Sequence, residues 1–153
     1  MKKYAVVLVM LVLAVGLLAG CSSSPQKDTP AAAKEQVKSY KDGTYTAKSS
    51  PDERGAVGEI TLVIEKGKIT KAEYKGVMKD GKIKGIDYGK TNGKIENQEF
   101  YNKAQNAVRA TASYPAKLVE LQDAAKIDAV SGATVSYNQF AEAVKKALEQ
   151  AKQ

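Results

Sequence analysis

Asp128-Ala129-Val130-Ser131-Gly132-Ala133-Thr134 runs straight into an amphipathic helical pattern, which puts a threonine hydroxyl at a helix start behind a turn of small residues. The first N–H groups of a helix have no intrahelical acceptor, and the macrodipole is positive there. Such a place favours an anion, a phosphate above all. The rest of the chain narrows the chemistry. It has no histidine and one cysteine, Cys21, so Cys-x-x-Cys pairs, haem attachment, iron–sulfur ligation and histidine-based metal sites are excluded. Ser-His-Asp and Cys-His hydrolysis go with them. Carboxylates are present, but none forms a recognisable acid–base motif, so no catalytic residue is assigned and no metal is expected. Any redox chemistry has to come from a bound organic cofactor.

The seven-residue segment resembles the Asp-x-x-(Ser/Thr)-Gly-Ala-Thr attachment motif of the FMN-binding domain family, which includes flavin-carrying subunits of sodium-pumping quinone reductases and of Rnf complexes. In that family a flavin transferase takes the FMN half of FAD and esterifies its phosphate to the last threonine. The resemblance implies that Thr134 is the acceptor of a covalent FMN. It further implies that Gly132, without a Cβ, lets the chain approach the phosphate, and that Ser131 and Ser136 donate hydrogen bonds to it. Ala133 completes the motif. Asp128 either shapes the turn or is read by the transferase. Tyr137 is a candidate to lie against the isoalloxazine ring, with simple packing as the alternative; Tyr45, Tyr74, Tyr88 and Tyr114 are further candidates. One departure stands out: many members have glycine after the aspartate, where this chain has Ala129. Asp42-Gly43-Thr44-Tyr45 and the stretch from Gly58 to Ala72 are similar to small lipoprotein members of the family, and the likeness extends over roughly residues 42–152.

The elements that must hold Thr134 are legible by pattern. Ser136 is placed as N-cap with Gln139 in a capping box, and Val135 and Phe140 as a hydrophobic staple. Phe140, Ala143, Val144, Ala147, Leu148 and Ala151 recur at helical spacing, while Glu142, Lys145, Lys146 and Glu149 fall outside that stripe. Upstream, Gly43 to Lys48 reads as a strand. Val57 to Glu65 and Lys68 to Tyr74 read as a hairpin joined by Lys66-Gly67, with Ile60, Leu62 and Ile64 on one face. From Gly76 to Asn97, turn signals at Asp80-Gly81 and Asn92-Gly93 suit a further hairpin or a long loop. Gln98 to about Ser113 is helical in pattern, with Phe100, Ala104, Ala107, Val108 and Thr111 or Ala112 along one side. Pro115 is expected to open a second, short helix to about Asp123. Ile127 falls on an extended piece before the motif. Strands followed by helices predict an α+β domain, a small antiparallel sheet with helices packed on one face.

The beginning of the chain addresses location. Lys2 and Lys3 precede an apolar run from Tyr4 to Leu18 that ends in Leu18-Ala19-Gly20-Cys21, a secretory signal with a lipoprotein box. The run is shorter than the roughly 20 residues a spanning helix needs. The similarity to bacterial lipoproteins implies diacylglycerol on the Cys21 sulfur and cleavage before it, and two or more acyl chains give lasting membrane attachment. The expected organisation is thus a signal peptide at 1–20, a proline-containing tether at 21–38, and at 39–153 the domain that resembles the FMN-binding family. The net charge of +7 falls to +5 with the loss of Lys2 and Lys3, and the lysines are dispersed, so nucleic acid is not an expected partner. Together these features predict a lipid-anchored flavoprotein on the extracytoplasmic side of the cell membrane, at the cell surface or in the periplasm. It would be a carrier that relays electrons from a quinone-linked donor to an extracytoplasmic acceptor, and not an enzyme. The alternatives are a non-redox binding lipoprotein or antigen, and a flavin-dependent extracytoplasmic reductase.

Overall fold

The computed structural model describes residues 40–152; the signal peptide, Cys21 and the tether lie outside the described residues. Three strands, β1 (Gly43–Lys48), β2 (Val57–Glu65) and β3 (Lys68–Val77), form an antiparallel sheet in the order β1-β2-β3. Along β2 every second residue, Gly58, Ile60, Leu62 and Ile64, is buried. On the other face Glu59 is held by Lys48 at 2.6 Å and by Lys75 at 3.2 Å. One face packs and the other is wet, as the alternation requires. The β2–β3 turn uses Lys66 and Gly67 at φ 53° and 73°, the left-handed pair that a two-residue hairpin needs. β3 runs past Tyr74 to Val77 because Gly76 and Val77 pair with Gly58 and Val57.

Two helices, α1 (Gln98–Leu121) and α2 (Thr134–Gln150), cover the packed face, with a 3-10 turn at Ala124–Lys126 and an extended, buried Ile127 between them. This is the expected α+β architecture. The expectations for the helices are corrected in two places, along α1 and at the start of α2. Pro115 does not open a separate helix but lies inside α1. An interior proline forfeits a hydrogen bond and costs about 3 kcal/mol. Here Ala110, Tyr114 and Leu118 form one buried stripe that crosses it. Burial of a leucine alone contributes about 1.5–3 kcal/mol, and Tyr114 adds a larger area, so packing outweighs the break. The apolar side is also shifted towards the C-terminal half, leaving Phe100 exposed beneath Arg54, 5.0 Å from its ring centroid.

The second correction concerns the start of α2. Ser136 is not its N-cap: the helix begins at Thr134, Ala133 occupies the cap position, and no side chain caps it. Gln139 does not fold back to the helix start but donates its Nε2 to the Ala56 carbonyl at 2.6 Å. The staple is not made either, because Val135 is 57% exposed while Phe140 is fully buried. Phe140 packs instead edge-on to Tyr74 at 5.1 Å and against Tyr114 at 5.2 Å. Burying that ring between strand and helix decides the helix register, and it outweighs a surface capping box worth about 1 kcal/mol.

The helix directions follow from contacts at both ends. Gln139 of α2 reaches Ala56, just before β2, whereas Ala151 accepts from Lys41 N–H, just before β1, at 2.8 Å. The Gln122 side chain, after α1, bonds both the N–H and the carbonyl of Ile69 at the start of β3, each at 2.9 Å. Both helix starts therefore gather at the end of the sheet where β1 stops, β2 begins and β3 stops.

Candidate functional site

At that end the motif forms the approach to α2. Gly132 adopts φ +77°, a left-handed conformation that a side chain disfavours. A Cβ there would only meet Asn106 Nδ2 at an ordinary 3.5 Å, so the backbone angle calls for glycine more than the space does. The turn is tied down on three sides. Ala133 N–H donates to the Val130 carbonyl at 2.9 Å, Asn106 Nδ2 donates to the Ser131 carbonyl at 2.8 Å, and Val130 N–H donates to the Tyr114 hydroxyl at 3.3 Å. The first backbone bond of the helix is Tyr137 N–H to the Ala133 carbonyl. The N–H groups of Thr134, Val135 and Ser136 thus have no intrahelical acceptor, and the Thr134 side chain is exposed beside them. A hydroxyl, three donors and the positive helix end on a fixed turn fit a phosphate ester.

The other expected residues separate into those at the turn and those in the packing. Asp128 and Ser131 are exposed with Thr134, and Ala133 is buried beneath the turn. Ser136 is largely buried at the third helical position, where its carbonyl faces the Tyr74 hydroxyl at 3.5 Å. Tyr137 is half-buried: its hydroxyl donates to the Ala124 carbonyl at 3.1 Å and its ring meets Tyr114 edge-on at 5.8 Å. Tyr114 is fully buried. Tyr74 is accommodated by Gly58, where a Cβ would stand 2.1 Å from its hydroxyl. Burial, with Tyr114 adding to it, raises the Tyr74 pKa, so that phenol stays a neutral donor. Tyr45 belongs to the far end, where its hydroxyl donates to the Lys41 carbonyl at 2.9 Å.

Sequence reasoning did not find a cleft of about 240 Å³ at the same end, lined by Arg54, Ala56, Met78, Lys79, Asp80, Lys84 and Tyr88. One wall is the 52–56 turn. Burial opposes ionisation of Asp52 there, but N–H donors from Ala56 and Arg54 and the Lys84 ammonium at 3.3 Å outweigh it and lower its pKa. The other wall is the excursion 78–97, which forms no further strand. It makes single bridges at Val77–Ile83 and Thr91–Lys94, the latter closed by Asn92-Gly93. Gln105 of α1 holds it, its Nε2 donating to the carbonyls of Gly85, Ile86 and Tyr88 at 3.1, 3.3 and 2.8 Å. No sequence signal marks Gln105 or Asn106, because neither belongs to a motif and each acts on a segment distant in sequence.

Fold and site together define a small α+β domain with an exposed threonine hydroxyl at an uncapped helix start. The chain belongs to the FMN-binding domain family, whose sequence profile matches residues 55–149. Among solved structures, a crystal structure of a Clostridium perfringens protein is similar at 26% identity and a TM-score of 0.58, over 73% of this chain and 88% of that one. A solution structure of a Clostridium thermocellum protein is 28% identical over 74% of this chain and 93% of that one, with a TM-score of 0.43. No curated protein matches the chain.

Proposed function

We propose that the protein carries FMN esterified through its phosphate to Thr134 Oγ1 and serves as a membrane-tethered electron carrier on the extracytoplasmic side. The single observation that carries this reading is the exposed Thr134 at the uncapped first position of α2, behind a rigid left-handed Gly132, in a chain of the FMN-binding domain family. The flavin would supply one- and two-electron chemistry that the side chains lack. Thr134 would hold the phosphate, the N–H groups of 134–136 would share its charge, and Asn106 and Tyr114 would keep the turn in place.

An ester cannot be lost by dissociation, which suits a protein exported to where free flavin is scarce. The partners this implies are a flavin transferase, a quinone-linked membrane donor, an extracytoplasmic acceptor, and the membrane itself through a lipidated Cys21. The test is expression with an active flavin transferase followed by denaturing electrophoresis. The wild-type band is expected to fluoresce and the Thr134→Val band to be dark. A dark wild-type band beside a fluorescent control substrate contradicts the reading.

A further inference from the structure

The cleft beside the motif has a composition suited to one part of a flavin. Ala56, Met78 and Tyr88 give it apolar surface, while Arg54, Lys79 and Lys84 give it positive charge; Asp80, which also lines it, is paired with Lys82 at 3.2 Å. We propose that this cleft seats the isoalloxazine ring of the FMN held at Thr134, with Tyr88 against the ring and Arg54 facing the charge of its reduced form. The inference rests on the covalent reading above.

Position supports it. The cleft residue Ala56 accepts from Gln139 on the second turn of α2, so cleft and motif share this end of the sheet. Size supports it as well: about 240 Å³ lies below the roughly 300 Å³ at which pockets enclosing a whole drug-sized ligand begin, so the cleft admits a ring and leaves the arm outside. The seat is also built in advance. Lys84 Nζ is fixed 3.3 Å from Asp52 Oδ2 and 5.3 Å from the Tyr88 ring centroid. The neighbours Gln105 and Asn106 hold the Tyr88 loop and the Ser131 turn respectively, so α1 sets the distance between ring seat and attachment turn. Uptake of two electrons and one proton leaves the ring with one negative charge, which the exposed Arg54 guanidinium stabilises over the neutral oxidised form, the Lys84 charge being offset by Asp52.

The test uses the full-length flavinylated protein with Tyr88→Leu, Arg54→Gln and Arg54→Lys, dithionite being the electron donor. Loss of the Tyr88 contact is expected to lower the stacked-to-free ratio of the ring about two- to tenfold, read as a rise in native flavin fluorescence that disappears on denaturation. Arg54→Gln is expected to lower the reduced-to-oxidised ratio about tenfold, a fall of about 30 mV for a two-electron couple, and Arg54→Lys to restore it. Arg54 is exposed, so its variants keep the test alive if Tyr88→Leu fails to fold. Unchanged fluorescence and potential in variants that carry a full load of covalent flavin overturn this inference and leave the Thr134 ester standing. A wild-type protein with no covalent flavin overturns both.

Discussion

At the residue scale, side chains remote from the motif in sequence fix the motif end of the molecule. Glu142 on α2 accepts from Ser50 Oγ at 2.6 Å and from Ser50 N–H at 3.0 Å, and pairs with Lys146 at 2.9 Å. The Ser50 hydroxyl, the Lys146 ammonium and the Ser50 N–H together lower its pKa from the ordinary 4.5 to about 2. Since the folded value lies below the unfolded one, this contact stabilises the fold fully above about pH 4.5 and is lost as the pH falls towards 2. Urea unfolding of wild type and Glu142→Gln across pH 2–6 is expected to show a gap that closes on acidification. A gap constant with pH contradicts the assignment. Partial exposure and solvent screening keep the effect small.

At the element scale, α1 carries both the motif turn and the cleft loop, and it does so as one rod despite Pro115. Replacing Pro115 with alanine restores an N–H for the Thr111 carbonyl within an already helical backbone. The expected result in thermal unfolding is a gain of about 1–2 kcal/mol, the helix term of about 3 kcal/mol being reduced by the greater freedom of the unfolded chain. A loss of stability would mean that the fold needs a bend at that point. The same helix shows where sequence reading stopped. Period-2 alternation at Ile60, Leu62 and Ile64 and the Lys66-Gly67 turn revealed the hairpin, because both signals are local. The unbroken α1 and the early start of α2 were hidden, since each is decided by non-local burial: Tyr114 and Leu118 on one helix, Phe140 between Tyr74 and Tyr114 on the other. The Thr-bearing turn was legible as a motif. The cleft was not, because its lining comes from the 54–56 turn and the 78–88 excursion, which only the fold brings together.

At the scale of the whole molecule, a domain with its candidate site at one end would suit the proposed carrier, which must meet different partners in turn. The proposed attachment through Cys21 would keep it near a membrane donor. Cys21→Ser is therefore expected to abolish incorporation of a labelled fatty acid into the protein, checked by metabolic labelling and electrophoresis. Labelling of that variant equal to wild type contradicts lipid anchoring at this cysteine. The account depends most on the bond at Thr134, and peptide mass spectrometry reads it most directly. After co-expression with the transferase and digestion with trypsin, the peptide spanning 127–145 should gain the mass of FMN less one water, with fragment ions placing it on Thr134. An unmodified peptide, or the same gain on Ser131 or Ser136, would contradict the account.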